Sequence, residues 1–167
     1  MKKALKRAKV NRCPWCGTNA EMIHYHDHEW GKAQHSDDQH FEFLVLEAAQ
    51  AGLSWATILK RRSSYRKAFA NYNLKKICKF DKKKIQELLK NSGIIRNRLK
   101  IEAVVHNAPL FIQIQKEFGS FDAYIWNFVG GKTIVNHWTS SREIPSQSKE
   151  SQALSRDLKS RGFKFVG

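Results

Sequence analysis

Apolar residues recur at helical spacing along almost the whole chain, and strand-like alternation is weak and isolated. Residues 38–52 carry Phe43, Leu44, Ala48 and Ala51 on one stripe, which predicts a helix. Ser54 is placed to cap a second helix through Trp55, Ile58 and Leu59, with basic residues and Tyr65 on its continuation. Asp81 caps a short helix, Lys82 to Lys90, with Ile85, Leu88 and Leu89 on one face, and Asn91-Ser92-Gly93 stops it. A longer pattern resumes near Asn97 with Ile101, Val104, Val105 and Ala108, and Pro109 is expected to kink or split it. Phe121 to Phe128 reads as another short helix. Residues 130–148 read as a loop, and a last helix is predicted from about Lys149 to Arg161, ended by Gly162. The pattern is that of an all-α protein.

With 167 residues and 41% hydrophobic content, one globular domain is expected over residues 12–167. Residues 1–11 are expected to form a mobile basic arm, since they lack the apolar core of a secretory signal. No apolar run approaches the ~20 residues of a membrane span, so no membrane partner is expected. Three cysteines, Cys13, Cys16 and Cys78, do not make a disulfide scaffold, which fits a reducing, cytoplasmic location.

Charge changes the picture more than composition does. The net charge is +15, and the segment Lys60–Lys100 holds fifteen Lys/Arg against Asp81 and Glu87. A local field of this kind suits a phosphate backbone and makes binding fall with salt. The turn at Asn91-Ser92-Gly93 lies inside that segment. A glycine-bearing hairpin that opens a helix exposes N–H groups beside a positive helix end, which holds a phosphate without reading sequence. Ser92, Gly93 and Ile94, with Arg96, Arg98 and Lys100, are the candidate nucleic-acid contacts; an ordinary capped helical hairpin has the same pattern.

Glu47 is the candidate recognition residue. It falls within the apolar stripe, with no Lys or Arg at three or four residues' distance, and an uncompensated carboxylate is costly to bury. A solvated position at the edge of the stripe is the alternative. Trp15, Tyr25, Trp30 and Trp55 lie close to it in sequence, and aromatic slots beside a carboxylate suit a flat cationic ring. Aromatic residues also fill cores, and the sequence leaves both readings open. Cys13-Pro14-Trp15-Cys16 with His24, His26 and His28 downstream can begin a tetrahedral zinc site or stand as unliganded thiols.

Taken together, these blocks resemble the DNA-3-methyladenine glycosylase I family. They are Arg-Cys-Pro-Trp at 12–15, Tyr-His-Asp-His-Glu-Trp-Gly at 25–31 and Leu-Glu-Ala-Ala-Gln-Ala-Gly-Leu-Ser-Trp at 46–55. Gly-Ile-Ile-Arg-Asn-Arg at 93–98, Glu-Ile-Pro-Ser at 143–146 and Arg-Gly-Phe-Lys-Phe-Val-Gly at 161–167 complete them in the family's order. The resemblance implies a helix–hairpin–helix DNA glycosylase fold, acting as a monomer on double-stranded DNA that contains alkylated bases. It implies a monofunctional hydrolase that flips out 3-methyladenine, cuts its N-glycosidic bond and releases the free base. Glu47 would accept hydrogen bonds from the base, Tyr25 and Trp55 would line and stack on it, and Trp15 and Trp30 would lie close by. No catalytic aspartate is implied, since a cationic base is already a good leaving group.

The family also implies a structural zinc and no organic cofactor. Cys13 and His26 match its first two ligands. The other two follow Phe-Val-Gly in the family, where this sequence stops at Gly167. Substoichiometric zinc, or none, is therefore expected unless Cys16 and His24 or His28 substitute. The alternative function is a helix–hairpin–helix DNA-binding protein that has lost turnover.

Overall fold

The computed structural model describes residues 11–140 and 142–167; the expected basic arm falls almost wholly on residues 1–10, outside the described part. The described residues are all helical or irregular, with no strand among them. They fall into two compact units, one up to Lys32 and one from Ala33 to Gly167.

The first unit is a one-turn 3-10 helix, Pro14–Cys16, followed by α1, Ala20–His28. Asn19 starts α1 by accepting the Met22 N–H at 2.9 Å. Trp15 packs its ring on Tyr25, His26 and Trp30, with centroids 6.3, 5.3 and 5.1 Å away.

The second unit holds α2 (Asp37–Gln50), α3 (Trp55–Leu59), α4 (Arg62–Ala68), α5 (Leu74–Ile77), α6 (Lys82–Lys90), α7 (Arg98–Phe118), α8 (Phe121–Asn127) and α9 (Lys149–Ser160). The caps foreseen at Ser54 and Asp81 form, taking the Thr57 and Lys84 N–H groups at 3.2 and 2.8 Å. Pro109 does not divide α7, which runs unbroken for 21 residues. The proline leaves only the Val105 carbonyl without its helical donor, while Val104, Ala108, Phe111 and Ile114 are buried on either side of it. Residues 130–140 and 142–147 carry no regular structure, as the loop reading foresaw.

The core gathers around α7. Phe111 stacks on Phe121 at 4.0 Å and meets Phe41 edge-on at 5.2 Å, joining α2, α7 and α8. Asp37, at the start of α2, accepts the Phe121 and Asp122 N–H groups at 3.0 and 2.8 Å and so caps α8 from outside. Behind α9, the Asn107 carboxamide meets the Lys164 backbone twice, donating to its carbonyl and accepting its N–H, both at 2.9 Å.

α2 turns a different face to the core from the one its stripe predicts. Phe41, Val45, Leu46, Ala48 and Ala49 are buried, while Phe43 and Leu44 are half-buried and Ala51 is exposed. The run Phe-Glu-Phe-Leu-Val-Leu has apolar residues on nearly every side, so spacing alone does not fix the phase. The buried carboxylate of this helix is Glu42, 1% exposed. Arg62 Nε donates to one of its oxygens at 2.9 Å and an Arg66 terminal nitrogen to the other at 2.6 Å. The Arg66 guanidinium also lies over the Tyr72 ring, 5.3 Å from its centroid.

Removing the Glu42 carboxylate therefore takes one buried acceptor from each of two guanidinium groups. Both arginines reach solvent, which limits the penalty. Glu42→Ala is expected to cost about 2–4 kcal/mol of stability, read as a lower urea midpoint at unchanged slope. A midpoint equal to the parent's would mean that the cluster contributes no net stability.

Candidate functional site

Glu47 lies on the last turns of α2, and its carboxyl is reached by solvent through an open cleft of about 760 Å³. Leu44, Gln50 and Ala51 form the α2 side of this cleft; Leu158 and Lys159 of α9 and the tail from Phe165 to Gly167 form the other. The walls strip water from the carboxyl and raise its pKa above the ordinary glutamate value. Glu47 is exposed, the edge-of-stripe position that its sequence left as the alternative, with its pKa raised by the neighbouring walls.

Trp55 begins α3 immediately after the Ser54 cap. It is half-buried and stacks on Phe43, with centroids 6.4 Å apart and planes at 19°. Phe43 sits one turn before Glu47, so Glu47, Phe43 and Trp55 form one aromatic and acidic patch. Trp55 is not part of the cleft wall on the far side of Glu47. Within the first unit, Trp15, Tyr25 and Trp30 form their own cluster, in which Trp30 also stacks on His26 at 5.5 Å.

The hairpin runs from Asn91 to Asn97, between α6 and α7. Asn91 Oδ1 accepts the Gly93 N–H at 2.8 Å, and the Tyr65 hydroxyl of α4 accepts that of Ile95 at 3.0 Å. A Cβ on Gly93 would stand 2.9 Å from the Ser64 side chain, so the glycine is required for close packing against α4. Ile94 is buried, 2% exposed, and anchors the hairpin from inside. Ser92, Arg96 and Arg98 are exposed, and Arg98 lies 3.3 Å from Glu102 on the next turn. The first-turn N–H groups of α7 have no intrahelical acceptors and point out of the helix end beside these side chains.

Lys100 departs from this group. The sequence places it among the phosphate contacts, but its ammonium turns inward and donates to the carbonyls of Ala49 and Ala51, at 2.8 and 2.6 Å. Only 9% of the residue is exposed, and burial lowers its pKa. Spacing gave no sign of this, because the acceptors are backbone atoms about fifty residues away. Glu42 was missed for the same reason: its partners lie in another helix. An arginine pair four residues apart, Arg62 and Arg66, was the one available hint.

The zinc candidates meet only in part. Cys13 donates its backbone N–H to His26 Nε2 at 3.2 Å, and His26 Nδ1 lies 3.0 Å from Asp27 Oδ1. Arg12 clamps Asp27 from the other side at 2.7 Å, and these bonds hold the Asp27 carboxyl well below the usual range. The His26 lone pair that would bind a metal is thereby engaged by an amide. Cys16 is buried and bonded through its thiol to the Cys13 carbonyl at 3.1 Å, and the rings of His24 and His28 meet at 4.6 Å, tilted by 44°. Among the described residues no group of three or more His, Cys, Asp or Glu could hold a metal ion. The arrangement does not fit a complete zinc site, and no step below depends on one.

The model of the methyladenine glycosylase family matches residues 15–167. This chain belongs to that family. DNA-3-methyladenine glycosylase of Haemophilus influenzae is 46% identical over 158 residues, covering 95% of this chain and 85% of that protein. DNA-3-methyladenine glycosylase 1 of Escherichia coli K12 is 39% identical, covering 95% and 84%. A crystal structure of 3-methyladenine DNA glycosylase I superposes with a TM-score of 0.91 at 39% identity, over 94% of this chain and 86% of that one. The Staphylococcus aureus enzyme, solved to show how it recognises 3-methyladenine, superposes at 0.90 with 33% identity, over 94% and 84%. Among the described residues no helix is long and apolar enough to cross a membrane.

A carboxyl whose pKa is raised on folding is less stable ionised in the folded state. Its cost appears as pH rises through the folded-state pKa and is absent below the unfolded one. Glu47→Gln should therefore raise the melting temperature at pH 7, with the gain vanishing below about pH 4. A variant less stable than the parent at pH 7 would mean that the ionised carboxylate is well compensated in the fold.

Proposed function

We propose that this chain is a monofunctional DNA glycosylase of base-excision repair that removes 3-methyladenine from alkylated duplex DNA. The reading is carried by one observation: in a chain of this family, Glu47 offers a solvent-reachable carboxylate in an open cleft, one turn from a stacked aromatic pair. An ionised carboxylate in such a place gains most from a cationic hydrogen-bond donor. The relatives from Haemophilus influenzae and Escherichia coli bear the name of that activity.

In this reading Glu47 accepts hydrogen bonds from the alkylated adenine, and Trp55, held flat by Phe43, offers a face for stacking. Tyr25, Trp15 and Trp30 keep the aromatic roles that the family resemblance gives them. The base is bound as a cation. The bond between C1′ and the base nitrogen breaks with its electron pair moving to the base, which leaves neutral, and water adds to C1′ and gives its proton to solvent. Because the leaving group is already activated, recognition of the flipped cation does most of the work.

The hairpin supplies the grip on DNA. Ser92 and the first two residues of α7, Arg98 and Leu99, offer backbone N–H groups to a phosphate, Gly93 gives the turn its close packing while its own N–H is held by Asn91, and Arg96 and Arg98 add charge around the site. Ile94 contributes by holding the loop's shape from below, and Lys100 is left out of the contact set because its ammonium faces the interior.

Release of free 3-methyladenine from methylated duplex DNA tests the activity. Glu47→Gln keeps the shape and removes the charge, and the excision rate is expected to fall about ten- to hundredfold, for a charge-assisted bond of ~1.5–3 kcal/mol. Because the carboxyl's pKa is raised, the parent's rate should decline with acidification sooner than an ordinary glutamate would dictate. A parent that binds duplex DNA but releases no base would support the alternative of a binding protein without turnover.

Arg98→Ala should leave free-base binding intact and flatten log K against log salt by about one unit, the share of a single phosphate. An unchanged slope would place Arg98 away from the DNA path.

A further inference from the structure

We infer that Lys100 is a positioning residue that holds the end of α2, and with it Glu47 and the turn to Trp55, in the geometry the base requires. The inference rests on the glycosylase reading above and deepens it. It links the DNA grip and base recognition through one side chain.

The last carbonyls of an α-helix have no intrahelical donor, and the C-terminus carries the negative end of the helix dipole. α2 ends at Gln50, and the chain reverses through Ala51, Gly52 and Leu53 before Ser54 caps α3. Gly52 sits at a φ of +77°, so the reversal is tight. Lys100 donates to one carbonyl inside the helix, Ala49, and to one just beyond it, Ala51. Its ammonium thus ties the final turn of α2 to the start of the reversal. Glu47 is two residues before the first acceptor, and Trp55 is four residues after the second.

The other end of Lys100 is equally fixed. Its backbone N–H is taken by the side chain of Asn97, which caps α7, at 3.2 Å. Its neighbour Ile101 is buried in the core. Lys100 therefore extends from the turn of helix that follows the hairpin, next to the exposed Arg96 and Arg98, to the end of the helix that carries Glu47. A phosphate contact would need the ammonium outside; two short bonds to backbone carbonyls account for its inward orientation.

Three readouts on Lys100→Met, which keeps the apolar stem and removes the donor, test the assignment. First, free 3-methyladenine should bind at least about tenfold more weakly, and single-turnover excision at saturating enzyme should fall by a similar factor. Second, affinity for undamaged duplex and its salt slope should match the parent. Third, amide hydrogen exchange without ligand should accelerate at residues 50–55 and stay unchanged in α8. Lys100→Arg, which can still reach carbonyls, should restore a large part of each loss, whereas Lys100→Gln should restore less. If Lys100→Met does not fold, the Arg and Gln variants carry the same three comparisons.

Unchanged exchange at residues 50–55, unchanged free-base affinity in a parent that binds the base, or a salt slope lowered by about one unit would each overturn the assignment. A parent that neither binds nor releases 3-methyladenine would sink the proposed activity instead. Faster exchange at 50–55 in that case would still show Lys100 holding the turn.

Discussion

Burial of the long face of α7 is the constraint on which the unit from Ala33 to Gly167 depends. Ile101, Val104, Ala108, Phe111 and Ile114 lie along it, and α2 and α8 are placed by what they pack against this row. Phe41 and Phe121 meet at Phe111, which sets the positions of both neighbouring helices through one stacked and one edge-on contact. The row also accounts for the tolerance of Pro109, since one missing backbone bond is small beside so many buried apolar contacts. Because α7 begins at the hairpin and ends beside the cap of α8, a single rigid rod spans the distance between the grip on DNA and the core.

The polar groups follow a second rule: buried charge occurs where backbone or opposite charge can meet it. Glu42 draws Arg62 and Arg66 against α2, so part of the basic surface is already neutralised internally. Arg96 and Arg98 remain exposed at the hairpin. Lys100 lies two residues further on and serves the interior. The net positive charge of the segment from Lys60 to Lys100 is therefore not a uniform phosphate-binding strip. Its members divide between outward attraction and inward bracing, and Glu47, exposed near the end of α2, has its pKa raised by the walls of the cleft.

Much of this was legible in the sequence. Helical periodicity, the caps at Ser54 and Asp81, the stop at Asn91 and the irregular stretch after Gly130 are local effects, and local effects are written in neighbouring residues. The family blocks, each short but ordered along the chain, carried the functional class. What periodicity missed was non-local. The phase of α2 was ambiguous because apolar residues nearly surround the helix, and only packing against α7 and α8 selects the face. Glu42 and Lys100 are decided by partners twenty to fifty residues away. Gly93 was legible as part of a phosphate-holding hairpin, but what requires a glycine there is packing against the Ser64 side chain.

The Asn107 bridge divides tolerance to change unequally between its two ends. One carboxamide supplies a donor and an acceptor, and residue 164 answers with backbone atoms alone. The identity of the side chain at 164 is therefore free, provided that its N–H is retained, so proline is the excluded residue. Position 107 has no such freedom, because no apolar side chain offers both functions and an aspartate offers only the acceptor. Phe165, which follows in a left-handed conformation with φ of 58°, takes its direction from that bridge, as do Val166 and Gly167 on the wall of the cleft. The tail's share of the cleft's outline is thus encoded at a position on α7 that does not line it.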